Sequence, residues 1–365
     1  MKKYIHERDD WPFLKYDERA LLSTLVRFHR KQGILFGKLE ALGFDVQNYL
    51  LLSSVSEEVV TSSEIEGENL NRSSVRSSVA KRLGLETAGF EDVSTDHYTE
   101  GVVEMALDAT QNYCLPVTDE RLFGWHSALF PTGRSGIRQI TVGAYRTKEV
   151  SIVSGAIGNE KVHYRAPVPE RVPREMKAFL NWLESKHNTD PFVKAGIAHL
   201  WFESIHPFDD GNGRIGRAIA DLLLARAEDS PKRYYSLSSQ LLKERKSYYF
   251  ELDLATAYSS DIGRWLDWFL SCLIRAVESS EEKLAMAKQK ALIFEQLRNV
   301  PMNERQVSVL NILIDGFEGK LTTAKWAKLC KCSHDTALRD IDDLIKKGIL
   351  LRCVGRGRST SYEMA

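Results

Sequence analysis

The residues whose types and spacing could do chemistry lie in one stretch, His206-Pro-Phe-Asp-Asp-Gly-Asn-Gly-Arg-Ile-Gly-Arg217. A histidine titrates near neutral pH, which makes His206 a candidate general base. Gly211, Asn212 and Gly213 form a turn whose backbone can approach an anion closely. Arg214 and Arg217 carry planar guanidinium forks that match phosphate oxygens. Asp210 beside a polyphosphate suggests Mg²⁺, which prefers one or two carboxylates completed by phosphate oxygens. Apolar helical runs precede the stretch at 192–205 and follow it at 215–227. The turn therefore opens the second helix, where unpaired N–H groups and the positive dipole end gather. That is a phosphate cradle with a base beside it. Taken singly, each residue has an ordinary structural reading: a helix-end cap, a turn, a solvated ion pair.

Jointly, the stretch fits HxFx[DE]GNGRxxR at every fixed position and so resembles the signature of the Fic (filamentation induced by cAMP) family. The resemblance implies a mainly α fold, a Fic helical core with a small β-hairpin flap. It also implies an activity: transfer of AMP from ATP to a Ser, Thr or Tyr hydroxyl of a target protein and of the chain itself, with Mg²⁺ as cofactor. His206 would take the hydroxyl proton and Asp210 would hold Mg²⁺. The N–H groups around Gly211 and Gly213, together with Asn212, would steady the α-phosphate. Arg214 would hold the β-phosphate and Arg217 the γ-phosphate, with Ile215 and Gly216 completing the nucleotide-binding signature.

Upstream, Ser62-x-x-x-Glu66-Gly67 resembles the family's inhibitory motif, [ST]xxxE[GN], whose glutamate pairs with the last arginine of the signature, here Arg217. Its place ahead of the core implies a class II member. Residues 150–162 correspond to the flap, where Val150, Ile152 and Val153 would clamp a target strand by β-augmentation. Tyr248 and Tyr249 match a tyrosine pair that lines the adenine pocket, although Thr256 stands where relatives can have asparagine. The same site could instead run in reverse, with Glu66 orienting water to remove AMP. Some members of the family move a phosphate or phosphocholine. A reading from another class is a nucleotide-sensing DNA-binding regulator.

Apolar spacing predicts the helices that must position these groups: 17–42 with Gly43 as its stop, 46–60, 71–83, 95–113 and 118–130. Short β-rich pieces, Val150-Ser-Ile-Val153 and Lys161-Val-His-Tyr164, read as a hairpin. Helices follow at 172–186 and 192–205, one at 238–256, one at 261–278 and a separate charged one at 281–298. The tail reads as helices over 303–315, 322–330 and 333–347 with a hairpin wing, a winged helix-turn-helix. The expected division is 1–94, an N-terminal helical region with the inhibitory helix; 95–280, the catalytic core; 281–302, a helical linker; and 303–365, the winged helix-turn-helix.

In a winged module the third helix reads DNA. Here it sets Asp335, Asp340, Asp342 and Asp343 against Arg339, Lys346 and Lys347, poorly suited to phosphates. Arg352, Arg356 and Arg358 form the basic cluster of the wing. Protein contact or assembly into a homo-oligomer is therefore favoured over DNA. The 365 residues carry 50 basic and 50 acidic side chains, so no global charge favours nucleic acid or anionic membrane. No apolar run reaches membrane-spanning length and no signal segment opens the chain, so a cytoplasmic location without a membrane partner is expected. Cys114, Cys272, Cys330, Cys332 and Cys353 read as free thiols rather than a zinc set.

Overall fold

The computed structural model describes all residues except 1–3, 86–94, 155–160, 187, 258–259, 298–299, 315–318, 354–359 and 365. It divides into two compact units, Met1–Glu281 and Glu282–Ala365.

In the first unit, Asp17 caps α1 (Glu18–Glu40) by accepting from the Arg19 N–H. The stop expected at Gly43 falls earlier. Ala41 closes α1, and Gly43, at φ −61°, is the N-cap of α2 (Phe44–Ile65). α2 also runs past the expected end at 60. Thr61, Ser62 and Ser63 are buried, and the Thr61 hydroxyl donates to the Glu57 carbonyl at 2.6 Å, so the polar stretch remains helix. Asn71, Asp96 and Thr118 cap α3 (Arg72–Arg82), α4 (His97–Gln111) and α5 (Asp119–Leu129) with their side-chain oxygens. Two antiparallel hairpins follow, β1 (Arg134–Ser135) with β2 (Arg138–Gln139), and β3 (Ser151–Ser154) with β4 (Lys161–Arg165). In the second, Ile152 faces Tyr164 and Val153 faces Val162 across a register shift.

After α6 (Val172–Glu184) comes α7 (Pro191–Ile205), which Asp190 caps by accepting from the Phe192 and Val193 N–H groups. α7 is apolar all round, and Ala195, Ala198, Leu200, Phe202 and Ile205 are wholly buried, as a central helix requires. Its most extensive neighbour is α8 (Asn212–Glu228). The helix expected over 238–256 is two, α9 (Leu237–Lys243) and α10 (Arg245–Ala257). They break at Glu244, whose carboxylate is held by Arg275 at 2.6 Å. Conversely, the helices expected at 261–278 and 281–298 are one, α11 (Gly263–Leu297), because only serines separate them and neither Gly nor Pro interrupts.

The second unit contains α12 (Glu304–Ile314), α13 (Thr323–Leu329), α14 (His334–Lys346) and the antiparallel pair β5 (Leu350–Arg352) and β6 (Tyr362–Met364). Thr322 and Ser333 cap α13 and α14. Leu310, Trp326, Ile341, Leu344 and Leu350 form its core. Asp340 is buried and pairs with Arg305 at 2.8 Å, so it does not face a ligand. Arg352 lies 3.6 Å from Asp342, while Arg356 and Arg358 lie outside the described residues. Among the described residues no helix is long and apolar enough to cross a membrane.

Candidate active site

The loop 206–211 joins α7 to α8. His206 closes α7 in the left-handed region at φ 51°, and Gly211 opens α8 at φ 80°. Only glycine suits Gly211: besides that φ, a Cβ there would stand 2.8 Å from the Phe130 ring. Asn212, expected beside the α-phosphate, spends its side chain on the loop itself. Its Oδ1 accepts from the Phe208 N–H and its Nδ2 donates to the Phe208 carbonyl, both at 2.9 Å. What α8 offers an anion is therefore the backbone N–H groups of its first turn, which have no intrahelical acceptor.

Four residues outside the signature hold this loop. Arg146, buried, donates from its backbone to the Pro207 carbonyl (2.9 Å) and from Nε to the His206 carbonyl (2.8 Å). Its fork continues to the carbonyls of Lys148 (2.9 Å) and Pro167 (2.5 Å), which flank the β3–β4 hairpin. His126 stacks on Phe208 with ring centroids 4.3 Å apart. Its Nδ1 accepts from the Gly143 N–H, so Nε2 carries the proton donated to the Asp210 carbonyl at 3.2 Å. Burial pulls His126 down to about 4, so it works as a neutral strut. The Ser135 hydroxyl bonds the Asp210 carboxylate, and Asp209 accepts from the Thr141 N–H at 2.9 Å.

The two signature arginines are both buried and held differently. Arg214 donates to the Tyr98 hydroxyl at 2.6 Å and lies 5.0 Å over the Phe130 ring. Arg217 meets the C-terminal turn of α2. Its Nε donates to the Ser62 hydroxyl (2.9 Å), and Nη2 to the Ser62 carbonyl and Glu66 Oε1 (both 2.8 Å). Glu66 lies so close over α8 that a Cβ at Gly213 would stand 2.1 Å from its Oε1. Gly67 turns the chain away at φ 86°. Ile215 is buried in the core, and Gly216 packs on α7.

His206 has Arg146, Glu66 and Asp210 as its charged surroundings. Burial, then the Arg146 cation, hold it down to about 4, so its ring is neutral at physiological pH. Tyr248 is buried with its hydroxyl 2.8 Å from His199 Nε2, whereas Tyr249 is partly exposed and reaches the Ile65 carbonyl at 3.5 Å. Of the tyrosine pair, Tyr249 is thus the ring accessible to a base. On the hairpin, Ile152 and Val153 are exposed and Val150 half-buried. The Tyr164 hydroxyl fastens the hairpin to the Ser204 carbonyl of α7 at 2.6 Å.

Among the described residues no three His, Cys, Asp or Glu side chains gather as a metal cluster. Asp210 is a single, half-exposed carboxylate at the mouth of the cradle. That fits a cation completing its shell with phosphate oxygens and water.

Residues 116–224 match the model of the Fic/DOC family, and residues 4–85 match a domain of unknown function, DUF4172. A probable protein adenylyltransferase of Aquifex aeolicus is 41% identical over 61 residues, which are 17% of this chain and 19% of its own length. The protein adenylyltransferase Fic of Nematostella vectensis is 31% identical over 115 residues, 31% of this chain and 25% of its own. The chain thus spans at most about a quarter of these curated relatives. A crystal structure of a Fic family protein from Desulfovibrio desulfuricans G20 superposes with a TM-score of 0.54 at 19% identity, covering 97% of this chain and 98% of that one. That likeness is one of fold.

Proposed function

We propose that this chain, whose residues 116–224 form a Fic/DOC domain, is a protein adenylyltransferase restrained by its own N-terminal helix. A target hydroxyl oxygen would attack the α-phosphorus of ATP while the bond from that phosphorus to the bridging β-oxygen breaks. Pyrophosphate leaves, and the hydroxyl proton passes to His206, the only ionisable ring of the signature loop. The backbone N–H groups opening α8 receive the charge that develops on the phosphoryl oxygens. Arg214, already oriented by Tyr98 and Phe130, is placed for the β-phosphate. Asp210 would hold Mg²⁺, which neutralises phosphate charge when bound.

The observation that carries this reading is the Arg217 contact with Glu66 and Ser62. Positions 151 apart in sequence meet where a γ-phosphate would otherwise sit, so one of the two arginine forks of the cradle is already taken. ATP could then bind with its phosphates out of line, and a displacement of about 1 Å can cost roughly 10²-fold in rate.

The target protein would present its hydroxyl on a strand laid along the exposed edge at Ile152 and Val153. All five cysteines are free, which supports a reducing, cytoplasmic setting. The second unit would be a helix-turn-helix module used for self-association, a reading its acidic α14 supports. The test of the activity is radiolabel. Label from α-labelled ATP should enter protein, and label from γ-labelled ATP should not. Entry from the γ-position would point to phosphoryl transfer and discard the adenylyltransferase reading.

A further inference from the structure

Glu203 sits one helical turn before His206, on the last turn of α7, and is buried. Its Oε2 lies 3.7 Å from His206 Nδ1. Glu203 Oε1 finds no hydrogen-bond partner among the described residues, and His206 Nδ1 makes none of good geometry, with only the Glu203 backbone carbonyl acting on the ring. A buried, unpaired polar atom is costly, and one on the carboxyl that faces His206 across 3.7 Å calls for a role. α8 makes room for this carboxyl with a glycine: a Cβ at Gly216 would stand 2.8 Å from Glu203 Oε1.

We propose that Glu203 is a positioning residue that selects the tautomer of His206. As a carboxylate it accepts from Nδ1–H, which leaves the lone pair on Nε2 free to take the target's proton. As a carboxylic acid it donates to Nδ1, which puts the ring hydrogen on Nε2 and disarms the base. This rests on His206 being the general base, and it adds a second effect of the docked inhibitory helix.

The groups facing Glu203 set which state prevails. Burial first, and then Glu66 from α2, raise its carboxyl to about 8, with Arg217 from α8 opposing them. Tyr248 on α10 also faces it, neutral because burial pushes its phenol well up. His199, one turn of α7 further back, is neutral too, held at about 4 by burial. Around His206 the remaining charges are Arg146, which lowers it, and Asp210, which raises it together with the backbone carbonyl of Glu203. With Glu66 docked, the balance at Glu203 is shifted toward the acid, and with it toward the tautomer that disarms the base. Withdrawing Glu66 removes a negative charge from beside Glu203, lets it ionise at lower pH and corrects the tautomer. Ionised Glu203 also steadies the imidazolium that forms when His206 accepts the proton.

The test is the pH profile of kcat/KM for self-modification with α-labelled ATP, which reports the free enzyme's ionisations. It uses the full-length protein carrying Glu66→Gly, with and without Glu203→Gln, and His206→Ala as reference. The expected result for Glu66→Gly is a rate that climbs about tenfold per pH unit to a plateau whose midpoint lies below 8. Adding Glu203→Gln should erase that limb and lower the plateau on the order of 10²-fold, with ATP affinity unchanged. A group that merely packed would lower the rate at every pH without moving the midpoint. An unchanged limb in Glu203→Gln would mean that the Glu203 backbone carbonyl fixes the ring, and would overturn the proposal. So would a flat profile in Glu66→Gly itself, a result independent of whether the glutamine variant folds. If His206→Ala keeps its activity, the base assignment falls as well, which separates that failure from one confined to Glu203.

Discussion

Arg146→Met should both destabilise the protein and silence it, because one buried cation ties the 206–211 loop, the proposed catalytic loop, to the base of the β3–β4 hairpin. Its side chain satisfies the carbonyls of His206, Lys148 and Pro167, at 2.8, 2.9 and 2.5 Å. Taking about 1.5 kcal/mol for each hydrogen bond with a charged donor, the three contribute roughly 4–5 kcal/mol. Burial lowers the Arg146 guanidinium, so desolvation is a real opposing cost, and removing the cation recovers about a third of that sum, leaving about 3 kcal/mol. For a unit of this size that corresponds to a fall in Tm of about 6–12 °C. Because His206 sits in a left-handed conformation that nothing local favours, losing its carbonyl anchor should also displace the ring, with roughly 10²-fold loss of transfer. Thermal unfolding by circular dichroism and label transfer in a Glu66→Gly background measure the two effects. Arg146→Lys, which cannot fork, should fall between the variants. A Tm within about 1 °C of the parent, with transfer undiminished, would refute the anchoring argument.

His206→Ala should lower AMP transfer on the order of 10²- to 10⁴-fold while nucleotide affinity, measured by calorimetry, changes little, since the phosphate contacts come from other groups. Equal losses in both would assign His206 to binding. Tyr98→Phe removes one bond on Arg214 and should raise KM for ATP several-fold, about 1 kcal/mol, with kcat nearly kept. An unchanged KM would show that Arg214 does not need the phenol to hold the nucleotide.

The sequence carried the site further than the scaffold. His206–Arg217 is a contiguous signature whose loop geometry follows from its own glycines and from the Asn212 clamp on Phe208, so local information sufficed. Glu66 was legible only through the family motif, because its partner lies 151 positions away. Arg146, His126, Tyr98 and Ser135 carry no spacing signal at all; each is a lone residue that tertiary packing brings to the loop. Helix ends failed where packing overrode composition. The buried polar turn at 61–65 stayed helical, and Gly43 began a helix rather than ending one. Glu244 broke a helix through a partner, Arg275, that pattern alone could not supply. The Tyr248–Tyr249 pair was visible as a pair, but which ring is buried is decided by His199 on another helix.

The central claim is that Glu66 restrains the site by occupying Arg217, and self-modification with α-labelled ATP at matched Mg²⁺ tests it most directly. Wild type, Glu66→Gly, and Glu66→Gly with Arg217→Ala should be compared side by side. The account predicts little label in wild type and a gain on the order of 10²-fold in Glu66→Gly. It also predicts that the gain disappears in the double variant, since both changes act on one contact and cannot be additive. Equal label in wild type and Glu66→Gly, or a gain that survives Arg217→Ala, would contradict it.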